Sequence, residues 1–125
     1  MEPISIDEFK KVEIKIGEIS SAERIEGSEK LLKLKVNFGL KPSEGSADQP
    51  EAGLGEDIRQ VLSGIGPFFS DISVLVGKRC LFVTNLAPRM MMGLESQAMI
   101  MATGGEEGNP FTLFESNALP GSMVH

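Results

Sequence analysis

Glycine and proline limit this chain more than any other feature of its sequence. They number 14 and 7 among 125 residues. Turn formers at that density favour many short strands over long helices. The clearest strand is Leu32 to Phe38, where Leu32, Leu34, Val36 and Phe38 alternate with Lys33, Lys35 and Asn37. A period of two buries one face and leaves the two lysines on the other. Val12, Ile14 and Ile16 alternate with Glu13 and Lys15, Gly17 interrupts, and Ile19 resumes. A glycine inside a strand pattern marks a bulge or a sharp bend of the kind that closes a small barrel.

Three more strands are expected: Ile58 to Ile65, Arg79 to Leu86 and Gln97 to Thr103. The run Cys80-Leu81-Phe82-Val83 is apolar enough to be buried on both faces. Ser5 with Glu8 forms a capping-box pattern, which predicts a short helix over 6–11. Pro67 to Val76 has room for one or two helical turns. Gly39 to Glu56 reads as a long, mobile, acidic loop, and Ala87 to Glu95 and Gly104 to Pro110 as further loops. Phe111–Phe114 and Met123-Val124 are short extended pieces. Five strands, a bend in the first and a short helix between the third and fourth fit an all-β, five-stranded OB-fold barrel. An SH3-like barrel or a small sandwich also fits the strand count. One domain is expected, with a barrel over 1–104 and a C-terminal extension over 105–125.

Composition excludes much chemistry. Hydrophobic residues are 41% and charged residues 24%, as in globular domains. Cys80 is the single cysteine and His125 the single histidine. That leaves no internal disulfide, no structural zinc set and no Ser–His–Asp or Cys–His arrangement. No catalytic residue, metal or cofactor is expected. No stretch reaches the ~18 apolar residues of a membrane span, and the first residues lack a signal-peptide pattern. A cytoplasmic protein with no membrane partner is expected.

The net charge of −6 argues at first against nucleic acid. Its distribution qualifies that. Residues 10–35 carry seven bases against five acids, and 59–104 four against two. Residues 41–58 carry one base and five acids. The strand regions are mildly basic, and the termini and one loop are acidic. Tyrosine and tryptophan are absent, so the stacking platforms of a single-strand binder are missing.

Five ordered blocks carry a family resemblance. They are Phe9-Lys10-Lys11-Val12-Glu13-Ile14-Lys15-Ile16-Gly17-Glu18-Ile19; Glu26-Gly27-Ser28-Glu29-Lys30-Leu31-Leu32-Lys33-Leu34; Gln60-Val61-Leu62-Ser63-Gly64-Ile65; Val76-Gly77-Lys78 leading to Asn85-Leu86-Ala87-Pro88-Arg89 and Gly93-Leu94-Glu95-Ser96-Gln97-Ala98-Met99; and Pro120-Gly121-Ser122. Together they resemble the tRNA-binding domains of methionyl-tRNA synthetases and the free-standing structure-specific tRNA-binding proteins. The resemblance implies a non-catalytic, homodimeric barrel that reads the shape of tRNA. It implies groove residues Lys30, Lys33, Asn85, Arg89, Ser96 and Met99. Lysine and arginine suit phosphates, Asn85 and Ser96 suit hydrogen bonds to backbone or 2′-hydroxyls, and Met99 suits an apolar contact.

This chain departs from the pattern at Met90 and Met92, where the family commonly has Lys or Arg, at Ala98 in place of Gly, and in its longer, more acidic 39–56 loop. Those departures predict modest affinity. The function that follows is delivery of tRNA to methionyl-tRNA synthetase, as its β subunit or C-terminal domain or in trans. The alternative is a dimeric protein-interaction or export-chaperone-like barrel, to which the methionine cluster lends itself. Phe111–Phe114 and Met123-Val124, with no evident place in a closed barrel, are expected to pair with a second copy.

Overall fold

The computed structural model describes residues 1–40 and 55–125. The acidic loop expected over 39–56 therefore lies almost wholly outside the described residues. The elements are α1 (Ile6–Phe9), β1 (Ile14–Arg24), β2 (Leu32–Leu40), β3 (Glu56–Ser63), β4 (Arg79–Val83), β5 (Arg89–Met91), β6 (Leu94–Ser96), β7 (Met99–Ile100), β8 (Ala102–Thr103) and β9 (Thr112–Leu113). Two 3-10 turns, Gly66–Phe68 and Ile72–Leu75, join β3 to β4. The main sheet runs β3-β2-β1-β4-β7, with each neighbouring pair antiparallel. It curls into the expected OB-like barrel.

Local chemistry explains much of this. Ser5 Oγ accepts from Glu8 N, and the Glu8 carboxylate accepts from Ser5 N, closing the capping box of α1. On β2, Leu32, Leu34, Val36 and Phe38 are buried in strict alternation. They meet Ile19, Val61, Leu75, Cys80 and Phe82 in one core. Phe38 and Phe82 pack edge to face at 5.2 Å.

Four expectations need correction. Gly17 makes no bulge: β1 stays in register with β4 through it, and the irregularity falls between Ile19 and Ser21. A Cβ on Gly17 would lie 2.5 Å from Val36 Cγ1 and 2.6 Å from Phe38 Cε1, so the glycine makes room for the core side chains of β2. The Ala87 to Glu95 loop contains a hairpin, β5–β6, turning on Met92 (φ 50°) and Gly93 (φ 77°). Positive φ at both central residues is the requirement of a type I′ turn. The fifth strand is split, β7 pairing with β4 and β8 with β9. On β4, Leu81 is half-buried, so only one face enters the core fully.

The C-terminal pieces pair inside the chain. Ile16 N donates to Ser122 O at 2.9 Å, Val124 N to Ile14 O at 2.8 Å, and Leu81 N to Phe114 O at 3.0 Å. They cover backbone edges of β1 and β4 that the ladders leave open. Their backbones are thus paired within the chain, while the Phe114 and Met123 side chains stay 41% and 51% exposed.

A candidate nucleic-acid interface on beta2, beta3 and the 84–98 segment

In an OB barrel the outer face of the second and third strands, with the loops on either side, forms the usual nucleic-acid platform. On β2 the outward residues are Lys33, Lys35 and Asn37, opposite Leu62, Gln60 and Ile58 of β3. Lys35 Nζ donates to Gln60 Oε1 at 3.3 Å, and Gln60 Nε2 donates to Glu95 O at 3.0 Å. The strand lysines and the β5–β6 hairpin thus form one continuous surface. The loop between β1 and β2 adjoins it: a Cβ on Gly27 would lie 3.6 Å from Met92 Cε at the hairpin tip.

The segment 84–98 is held to the open edge of β3 by isolated backbone and side-chain bonds rather than by a strand ladder. Gln97 N donates to Gln60 O at 2.8 Å, and Gln60 N to Gln97 Oε1 at 2.9 Å. Leu62 N donates to Ser96 Oγ at 3.0 Å. These bonds close the barrel.

The six sequence-predicted residues divide accordingly. Lys30 and Arg89 are exposed, on the β1–β2 loop and the hairpin. Lys33 is half-buried and paired with Glu23 at 3.2 Å. Among the described residues Lys30, Lys35 and Arg89 make no ion pair, so their charge is available to a ligand. Met99 is 48% exposed. It lines a small apolar pocket with Leu62, Leu86, Met91 and Ala98, at whose rim Arg89 stands.

Asn85 and Ser96 also bond within the chain. Asn85 Oδ1 accepts from Glu13 N at 2.7 Å and its Nδ2 donates to Lys11 O at 2.5 Å, fastening the α1–β1 connection. Ser96 is buried, and its hydroxyl bonds Leu62 N and Ala98 O. Both side chains therefore already have internal partners, Ser96 out of reach of solvent and Asn85 still exposed. Sequence reasoning passed over Lys35 and Gln60. The alternation that singled out Lys33 already placed Lys35 on the same face, and Gln60 lay in a family-like block. Cys80 is fully buried; burial first, and the Glu115 carboxylate second, push its thiol up to about 11, which leaves it unreactive at neutral pH. The described residues hold no cluster that could ligate a metal, and no helix among them is long and apolar enough to cross a membrane.

Residues 51–122, more than half of the chain, match the family described as "Putative tRNA binding domain". The chain belongs to this family. Family members are non-catalytic binding modules. The chain is 40% identical over 121 residues to a methionine–tRNA ligase of Caldanaerobacter subterraneus subsp. tengcongensis and 43% identical over 101 residues to that of Methanospirillum hungatei. The matches cover 97% and 81% of this chain but only 16% and 13% of the ligases, so it spans a small part of their length. A MetRS related protein from Pyrococcus horikoshii superposes over 100% of both chains with TM-score 0.78 and 30% identity. The chaperone CsaA of Bacillus anthracis superposes over 99% of this chain and 100% of its own, with TM-score 0.73 at 19% identity; it shares the fold.

Proposed function

We propose that this domain binds the body of tRNA by shape and raises its concentration at a methionyl-tRNA synthetase, as β subunit, C-terminal domain or partner in trans. The observation that carries this reading is the free charge of Lys30, Lys35 and Arg89 on the platform of β2, β3 and the hairpin. Lys33 and Met99 extend that surface. Phosphate contacts from such residues set position and carry no sequence information. Likeness to methionine–tRNA ligases supports the destination, and tethering would act through effective concentration. A single buried cysteine suits the reducing cytoplasm as the place of action.

A homodimer belongs to the same proposal, on different grounds from those read in the sequence. No residue of α1 is buried, and Ile4, Ile6, Phe9 and Val12 remain 42–65% exposed in the single chain. A second copy covering this row would remove it from water. Light scattering at micromolar concentration should give twice the chain mass.

The central test is a titration of wild type, Arg89→Ala and Met90→Lys against two unrelated tRNAs and a single-stranded RNA. Both tRNAs should bind alike and the single strand more weakly. Arg89→Ala should weaken both tRNAs equally and flatten the log–log salt slope by roughly 0.7–0.9. Met90→Lys should tighten both. Equal binding of all three RNAs, or no response to either substitution, would remove this surface from consideration. Exposed Met90 and Met92 (68% and 56%) favour the second reading, polypeptide binding. Competition by an unfolded polypeptide in place of tRNA would identify it.

A further inference from the structure

Arg59 sits on the inner face of β3, opposite Val36. Among the described residues it is the one cation whose side chain bonds both ends of the 84–98 segment. Its Nη1 donates to Thr84 O at 2.7 Å and lies 3.5 Å from Gln97 O. Its Nε and Nη2 hold the two oxygens of Asp57 at 3.2 and 3.1 Å, and its guanidinium lies over the Phe38 ring, 5.2 Å from the centroid. Thr84 is itself fixed, its N donating to Glu13 O and its Oγ1 to the Glu13 carboxylate. The fork is thus aimed by a bidentate carboxylate and an aromatic face, and it ends on the neck of the segment that carries Arg89. A planar five-donor group can do this; an ammonium cannot reach all these partners at once.

We infer that Arg59 is a positioning residue for nucleic-acid binding. It sets the distance and angle between the hairpin cation Arg89 and the β2 lysines, which lie on opposite sides of a seam that no strand ladder spans. The inference rests on the tRNA reading above. Being half-buried and already bonded, Arg59 does not itself meet phosphate.

Arg59→Lys keeps the charge and loses the fork. It should weaken tRNA by about as much as Arg89→Ala, roughly fivefold for one exposed charge contact. The double variant Arg59→Lys/Arg89→Ala should be no more than about twofold weaker than either single one, whereas Arg59→Lys/Lys35→Ala should be additive. Asp57→Asn, which unaims the fork and leaves Arg59 in place, should reproduce the pattern and serves if Arg59→Lys fails to fold. Affinity within twofold of wild type, or additivity with Arg89→Ala, overturns the proposal. Amide exchange decides the strut without RNA, so a failure of tRNA binding itself stays distinguishable. The Gln97 amide, bonded across the seam, should exchange at least about tenfold faster in Arg59→Lys, and an unchanged rate overturns the strut.

Discussion

β2 and the 84–98 segment contribute the two halves of the same surface, and they are built in opposite ways. On β2 each side chain's direction follows from its neighbours. Lys33 and Lys35 point outward because Leu32, Leu34 and Val36 point inward, and ladders with β1 and β3 hold the strand on both sides. In the 84–98 segment the backbone leaves the main sheet after β4 and pairs mostly with itself. Its placement depends on single bonds from side chains far away in sequence: Ser96 to Leu62, Gln97 to Gln60, Arg59 to Thr84. A platform of this kind has one half fixed by periodic burial and one half adjustable by a few polar contacts. Specificity is easier to alter in the second half without disturbing the core.

The sharpest way to test that contrast is to remove one contact from each half. Ser96→Ala leaves Leu62 N buried without its partner, which should lower the unfolding free energy by about 1–3 kcal/mol. Lys33→Ala removes a pair whose Glu23 side chain is 63% exposed and should change stability by less than about 0.5 kcal/mol. Denaturant midpoints at unchanged slope would measure both. Equal losses would mean that the hairpin half is no more dependent on single bonds than the strand half.

Asn85→Ala should fall between the two. It frees Glu13 N and Lys11 O at once, but near solvent, where water replaces part of what is lost. A cost of about 1 kcal/mol is expected, with faster amide exchange at Glu13. If Asn85→Ala instead leaves stability and exchange unchanged while abolishing tRNA binding, the side chain serves the ligand rather than the fold.

The same contrast governs what could be read from the sequence. β1 and β2 were legible because alternation is a local signal, and β4 because an apolar run is one too, although β1 runs on to Arg24 and β4 stops at Val83. The capping box of α1 was legible for the same reason. Gly17 was not, since its role depends on Val36 and Phe38, which reach it only after the sheet has formed. Asn85 and Ser96 are residue types equally suited to an RNA hydroxyl and to an internal backbone group. Burial and partner geometry decide between these uses, and neither is written in the residues around them. The pairing of Phe111–Phe114 and Met123-Val124 within the chain was hidden likewise, because an apolar extended piece carries no mark of which edge it will cover. The hairpin was missed for a third reason. A type I′ turn announces itself by Asn-Gly or Asp-Gly, and here the sequence is Met92-Gly93.

That unusual turn supplies the smallest expected effect. Met92 holds φ of 50° without being glycine, and a left-handed conformation costs an ordinary L-residue about 1–2 kcal/mol. Asparagine tolerates the same backbone because its short side chain can bond locally. The Met92 side chain stands near the β1–β2 loop, its Cε 3.6 Å from where a Cβ on Gly27 would be, and the residue is 56% exposed. A side chain this exposed contributes less than the backbone strain costs, so Met92→Asn should stabilise the domain by about 0.5–1 kcal/mol, read as a shift of the denaturant midpoint to higher concentration. Because the loop carrying Lys30 loses a neighbouring side chain, tRNA affinity should stay level or fall slightly even as stability rises. A destabilised Met92→Asn would show that the thioether near Gly27 outweighs the strain, and that the two loops flanking the platform are joined through the hairpin tip.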